Sequence, residues 1–127
     1  MWRVIMTKLF IVEDMEFSLE LLKDMVEEEG DLTVVGTAEN GEEAIVKFDK
    51  LMPDVVLLDL VLPGVDGLEV ARHIRAKKPD TKIIVVSAVV GEETIQETKD
   101  IGVDDYLTKP FTRKTLLERL KRLGALP

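Results

Sequence analysis

Several hydrophobic runs in this chain end on side chains equipped for chemistry. Lys8-Leu9-Phe10-Ile11-Val12 leads into Glu13 and Asp14, and Val55-Val56-Leu57-Leu58 leads into Asp59. Ile83-Ile84-Val85-Val86 ends in the hydroxyl of Ser87, and Tyr106-Leu107-Thr108 runs into Lys109 and Pro110. Gathered in one place, the three carboxylates would repel. Two unit charges about 4 Å apart cost roughly 4 kcal/mol at an effective dielectric near 20. Such a cluster raises a pKa or recruits a cation. No soft ligand accompanies it, so the cation is expected to be hard and oxygen-liganded. Mg²⁺ fits best, because it uses one or two carboxylates and keeps waters that a phosphate can displace; Mn²⁺ could stand in. The Lys109 ammonium and the Ser87 hydroxyl suit the oxygens of a tetrahedral anion. An Asp carboxylate can itself be a nucleophile toward phosphorus, forming an aspartyl-phosphate.

These groups meet only if the chain folds to bring the run ends together. Short apolar runs separated by helix-period segments read as buried parallel strands, and residues 32–37 add another. In an open α/β sheet the functional crevice lies outside the carboxyl ends of the strands. The first helix is expected to bury Phe17, Leu21, Leu22, Met25 and Val26 and to end at Gly30 through a left-handed turn. Glu27 to Glu29 crowd its C-terminus against the helix dipole and read as a solvated face. Asn40-Gly41-Glu42-Glu43 opens a second helix with Ala44, Ile45, Phe48 and Leu51 inward. Asp66-Gly67-Leu68-Glu69 opens a third with Leu68, Ala71 and Ile74 inward. The fourth, near residues 92–101, has only Ile95 and Ile101 as its main apolar residues, so it is expected to be loosely held. Thr112 caps the last, with Leu116, Leu117, Leu120 and Leu123. The result is an α/β, doubly wound, five-stranded parallel sheet with five helices.

The bulk properties narrow the function classes. A chain of 127 residues is long enough for one domain. Hydrophobic content of 46% beside 33% charged residues leaves little room for disorder. The net charge of −8 argues against direct nucleic-acid binding, which needs clustered Lys and Arg. No cysteine is present, which excludes disulfides and thiol catalysis. No apolar stretch approaches the roughly 18 residues that span a bilayer, and no secretory signal is evident. A cytoplasmic location is the expectation. His73, the single histidine, reads as an isolated surface residue.

The motifs together resemble the receiver domain of bacterial two-component response regulators, of the chemotaxis-regulator-like kind. Residues 53–69, from Pro53-Asp54 through Asp59 to Gly67-Leu68-Glu69, resemble that family's phosphoacceptor segment nearly throughout. Val12-Glu13-Asp14 resembles its acidic pair and Val86-Ser87-Ala88 its hydroxyl strand end. Residues 104–111, Asp104-Asp105-Tyr106-Leu107-Thr108-Lys109-Pro110-Phe111, resemble its lysine motif. The resemblance covers about residues 8–123. Residues 1–7 are left as an N-terminal extension and 124–127 as a tail or the start of a linker.

The resemblance implies the flavodoxin-like receiver fold with strand order 2-1-3-4-5. It implies that Asp59 accepts a phosphoryl group from the phosphohistidine of a sensor histidine kinase or phosphotransfer protein. Asp14, Asp59 and the Val61 backbone carbonyl would hold Mg²⁺, with Glu13 acting largely through water. Ser87, Ala88 and Lys109 would contact the phosphoryl group, the Lys109–Pro110 peptide being cis. Ser87 and Tyr106 would switch together, changing the face of helix four, strand five and helix five toward a downstream protein or effector domain, or toward a phosphorylation-dependent dimer. The chain would be a self-acting acceptor, not an enzyme turning over a separate substrate. Val61 and Val89, which in this family flank the path of the hydrolytic water, offer nothing to orient it, so slow autodephosphorylation is expected. The alternative is a phosphorylation-independent interaction domain of the same fold. A nucleotide binder is disfavoured, because Glu13-Asp14-Met15-Glu16 is acidic and lacks glycine. So is an aspartate-based phosphatase, which would want a second acid where Val61 stands.

Overall fold

A computed structural model describes residues 6–89 and 91–127. The apolar runs form strands β1 (Thr7–Val12), β2 (Leu32–Ala38), β3 (Val55–Leu58), β4 (Lys82–Ser87) and β5 (Asp105–Thr108). They alternate with helices α1 (Glu16–Glu27), α2 (Gly41–Leu51), α3 (Gly67–Lys77), α4 (Glu92–Ile101) and α5 (Arg113–Arg122). Every ladder is parallel, in the order β2-β1-β3-β4-β5. This is the expected doubly wound receiver fold.

Successive strand residues serve opposite sides of the sheet. Leu9, Ile11, Leu57, Ile84 and Val86 pack with Leu19, Leu22 and Val26 of α1 and Leu116, Leu117 and Leu120 of α5. Phe10, Val12, Val56, Leu58 and Ile83 pack with Ala44 and Phe48 of α2 and with Val70, Ala71 and Ile74 of α3. Ile101 and Val103, at the end of α4, lie against this second layer. Three helices start on a side-chain cap. Asn40 Oδ1 accepts from Glu43 N (2.8 Å), Asp66 Oδ1 from Glu69 N (3.0 Å) and Thr112 Oγ1 from Thr115 N (3.1 Å), each satisfying a donor that the helix leaves open. α1 and α4, which follow β1 and β4, have no such cap.

Several expectations are corrected. In α1 the buried residues are Leu19, Leu22 and Val26, whereas Phe17 is 80% exposed and Leu21 46%. Leu22 and Val26 are buried as expected and Met25 packs half-buried against the core, but the apolar arc is wider than the arc the sheet can cover, so Phe17 and Leu21 at its edge face solvent and Leu19 is buried instead. Gly30 does not end α1 in a left-handed turn. The helix stops at Glu27 in right-handed geometry, and the positive-φ glycines are Gly64, Gly102 and Gly124. Glu27 and Glu28 face solvent as expected and Glu29 is half-buried, and the charge that crowds this helix end has a partner. Arg113 Nε donates to the Met25 carbonyl (2.9 Å) and lies 3.4 Å from Glu28 Oε2, and its Nη2 is 3.8 Å from Glu29 Oε2. A cation from α5 thus closes the C-terminus of α1, where the dipole favours positive charge. In α3, Val70 is buried where Leu68 was expected to be; Leu68 is only half-buried.

The boundaries also shift. Thr7 already belongs to β1, its N–H donating to the Asp31 carbonyl (2.8 Å). Ala125 and Leu126, in the expected tail, are buried in the first core layer, and Thr7 Oγ1 donates to the Ala125 carbonyl (2.8 Å). Residues 1–5 of the expected extension lie outside the described residues. Among the described residues no helix is long and apolar enough to cross a membrane.

Candidate functional site

The strand order puts β1 and β3 side by side, with Val12 opposite Leu58. Each strand therefore delivers its next residue, Glu13 or Asp59, to the same edge, the one where ligands bind in sheets of this kind. Asp59 N donates to the Val12 carbonyl (3.0 Å) and Glu13 N to the Ala38 carbonyl (2.9 Å), so both acids leave the ladder from paired backbone. Ligand oxygens of Glu13, Asp14 and Asp59 lie within 4.8 Å of one another. Glu13 and Asp59 are 1% and 8% exposed, while Asp14 faces solvent.

Around Asp59 the donors converge from three elements. Lys109 Nζ donates to Asp59 Oδ2 (2.9 Å) and to Glu13 Oε1 (2.5 Å). Ser87 Oγ donates to Asp59 Oδ1 (3.4 Å), which also accepts from Val61 N (3.0 Å). Lys109 is placed by its own backbone, whose N–H donates to the Ser87 carbonyl (2.9 Å), and its peptide bond to Pro110 is cis. Met15 N–H reaches Glu13 Oε2 (3.4 Å). This backbone partner, supplied by the uncapped start of α1, carried no signal in the side-chain pattern.

Burial pushes the Glu13 carboxyl above the usual carboxylate range; the hydrogen bond from Lys109 works against this, and the Asp59 charge adds to it. Burial alone would lower Lys109, but its bonds to Glu13 and Asp59 outweigh that and hold the ammonium above the ordinary lysine value. The two directions agree physically. One cation serves two acids, so it is over-satisfied while Glu13 remains short of compensation. Hard oxygens, a deficit of positive charge and a narrow spacing fit a small divalent ion, which takes carboxylates and keeps waters.

The other expected residues take definite places. Tyr106, half-buried on β5, donates its hydroxyl to the Val89 carbonyl, and Val89 N–H donates to Ser87 Oγ (3.3 Å). Burial raises the Tyr106 pKa, Ser87 opposing and the Asp59 charge reinforcing the shift. Val61 is 59% exposed at the mouth of the site, and Val89 is half-buried. Ala88 is exposed and lines a groove with Lys109, Pro110 and Phe111 on one side and Leu21, Leu22 and Met25 on the other. His73 lies away from the site, its Nε2 2.7 Å from Asp49 Oδ1.

Comparison with known proteins agrees with this geometry. Residues 9–121 match the family model described as the response regulator receiver domain. The chemotaxis protein CheY of Listeria monocytogenes is 39% identical over 117 residues, which cover 92% of this chain and 98% of that protein. The transcriptional regulatory protein ResD of Bacillus subtilis is 40% identical over 92% of this chain, which spans 48% of ResD's length. A chain of the CheX-CheY-BeF3-Mg²⁺ complex from Borrelia burgdorferi is similar with a TM-score of 0.89 at 26% identity, over 94% of this chain and 90% of that one. Receiver domains bind Mg²⁺ through acidic residues, and an acidic trio stands at the matching edge of this sheet. By sequence over nearly its whole length and by fold, this chain belongs to the response regulator receiver domain family of two-component signal transduction.

Proposed function

We propose that this receiver accepts a phosphoryl group on Asp59 from the phosphohistidine of a partner sensor kinase or phosphotransfer protein, in a Mg²⁺-dependent reaction in the cytoplasm. The modification then alters the face of α4, β5 and α5 toward a downstream protein or effector domain. The observation that supports this most is the environment of the Asp59 carboxylate. It is held by Lys109 Nζ, Ser87 Oγ and Val61 N–H, and ligand oxygens of Glu13 and Asp14 lie within 4.8 Å.

A carboxylate oxygen of Asp59 attacks phosphorus as the bond to the donor imidazole nitrogen breaks. That nitrogen keeps the electron pair and takes up a proton. Little covalent work falls to the protein, which positions the groups and neutralises charge. Asp14, Asp59 and the Val61 carbonyl would hold Mg²⁺, or Mn²⁺ in its place, with Glu13 acting through water. When bound, the ion neutralises charge gathering on the phosphoryl oxygens. Lys109 shifts from the carboxylates to a phosphoryl oxygen, and the Ser87 hydroxyl and the Ala88 backbone contact the others. Ser87 and Tyr106 then carry the change to the α4–β5–α5 face. The Borrelia complex contains CheY with CheX, BeF3 and Mg²⁺, which supports both the ion and a protein partner as expectations for this chain.

The test is intact mass after incubation with acetyl phosphate and Mg²⁺. The wild type should gain one phosphoryl group, and neither Asp59→Asn nor an EDTA-treated sample should. An unlabelled wild type would instead favour a phosphorylation-independent interaction domain.

A further inference from the structure

The loop from β3 to α3, residues 59–66, carries two of the groups read above as metal ligands, the Asp59 carboxylate and the Val61 carbonyl. Its two ends are held locally. Val61 N–H donates to Asp59 Oδ1 (3.0 Å), and Gly67 N–H donates to the Leu60 carbonyl (3.1 Å). The middle of the loop has a different anchor. Val65 N–H donates to Glu42 Oε1 (3.2 Å), a carboxylate in the first turn of α2. Gly64 turns the chain with φ 75° against the same carboxylate, where a Cβ would stand 2.6 Å from Glu42 Oε1. Gly41, beside Glu42, brings the α2 backbone so close that a Cβ there would stand 2.7 Å from the Val65 carbonyl carbon. Among the described residues no other side chain from outside the loop bonds to residues 62–66.

α2 is a firm base for this contact. Asn40 caps it, and Ala44 and Phe48 bury its inner face in the second core layer. Glu42 is exposed in the first helical turn, where the dipole favours a carboxylate. The neighbouring Glu43 pairs with Lys47 (2.8 Å), whereas Glu42 has the loop. The side chains of Leu62 and Val65 pack against the second core layer while Val61 faces solvent, which leaves the backbone between them to Glu42. That backbone matters to a small divalent ion. Mg²⁺ demands near-octahedral oxygens at about 2.0–2.1 Å. An oxygen on a wandering loop must be ordered as the ion binds, and that cost is taken from the affinity.

We propose that Glu42 is a positioning residue for the metal site: from α2 it holds the β3–α3 loop so that the Val61 carbonyl is ready to join Asp14 and Asp59. The proposal rests on the Mg²⁺ site of the acceptor reading and adds a residue that touches neither the ion nor the reacting atoms. Glu42 acts as a hydrogen-bond acceptor for the loop, not as a charge that attracts the cation.

The experiment counts Mn²⁺ binding from the electron paramagnetic resonance signal of the free ion, with Mg²⁺ as competitor and no phosphoryl donor present. Glu42→Ala should bind Mn²⁺ about fivefold or more weakly than the wild type, as loss of a hydrogen bond behind a metal ligand does. Glu42→Gln keeps an oxygen that can accept from Val65 N–H and should stay within about twofold of the wild type. A charge acting at a distance would be lost in both variants. Gly64→Ala crowds the carboxylate and should weaken binding too, and adding Glu42→Ala to it should cost less than about twofold more, because both break one contact. Urea unfolding without the ion verifies that each variant is folded. Wild-type affinity in Glu42→Ala, equal losses in the Ala and Gln variants, or additive losses with Gly64→Ala overturn the positioning role. If the wild type holds no Mn²⁺, the divalent site and the role fall together; wild-type binding with an indifferent Glu42→Ala removes the role alone.

Discussion

Removing the Lys109 ammonium would leave Glu13 and Asp59 facing each other with 1% and 8% exposure, too dry a gap for water to screen them. Lys109→Met should therefore lose about 1–3 kcal/mol of stability in EDTA, and added Mg²⁺ should restore more of it than it adds to the wild type. Urea unfolding with and without the ion measures both. A loss that the ion leaves untouched would count against a divalent site. Tyr106 is the only tyrosine, so its ultraviolet titration reads one group. Its midpoint should lie above that of the urea-unfolded chain, because burial raises it. With the folded value raised, this contribution to stability is complete below the unfolded pKa and is lost as pH climbs through the folded one. Val61 and Val89 give the third test. Val61→Asn with Val89→Glu should speed loss of phosphate from Asp59 by about tenfold or more by supplying polar groups that can orient water. Unchanged decay would refute the idea that the valines keep the acyl phosphate long-lived.

α1 shows how two helical faces compete. Phe17, Leu21 and Met25 recur every fourth residue, as do Leu22 and Val26 beside them, and both rows satisfy a helical apolar period. Leu19, Leu22 and Val26 are buried and Met25 packs half-buried beside them, whereas Phe17 and Leu21 face solvent. Phe17→Ser should accordingly change stability by less than about 0.5 kcal/mol, and Leu22→Ala should cost about 2–5 kcal/mol, both from chemical denaturation. Comparable costs would mean that the outer row packs after all. The fourth helix was legible for a related reason. Ile95 and Ile101 are half-buried and Thr98 alone is buried, as a segment with so few apolar residues must be. Arg75 Nη2, which donates to the Gly102 carbonyl at the end of α4 (2.8 Å) and to Asp104 Oδ2 (3.0 Å), was not legible as a tie, because a lone arginine in the last turn of α3 reads as an ordinary complement to the helix dipole.

The assembled domain closes its lower edge with residues that looked dispensable. Ala125 and Leu126 are 7% and 6% exposed within the first core layer, after Gly124 turns the chain with φ 78°. Leu126→Ala should lower the unfolding free energy by about 2 kcal/mol or more, whereas trimming the exposed Pro127 should leave it unchanged within about 0.5 kcal/mol. Urea midpoints of the two variants decide the matter. If Leu126→Ala matched the wild type, the tail would be lying on the core without stabilising it. Arg113 adds a second closure, bonding the end of α1 from the start of α5.

The residues alone were enough to place the strands, the order of the motifs and the edge where Glu13, Asp14, Asp59, Ser87 and Lys109 meet. Apolar period and run ends are local properties, and parallel βαβ chirality converts run ends into neighbours. Lys109 and Glu13 are 96 residues apart, yet their meeting could be foreseen because topology carries it. The exposure of Phe17 and Leu21 on α1, the cation beside Glu28 and Glu29, the seating of the tail and the bond from Arg75 to the end of α4 were decided by the folded chain. Each depends on which of several chemically acceptable partners comes within hydrogen-bond or packing reach, and that distance is set by how whole elements sit on one another.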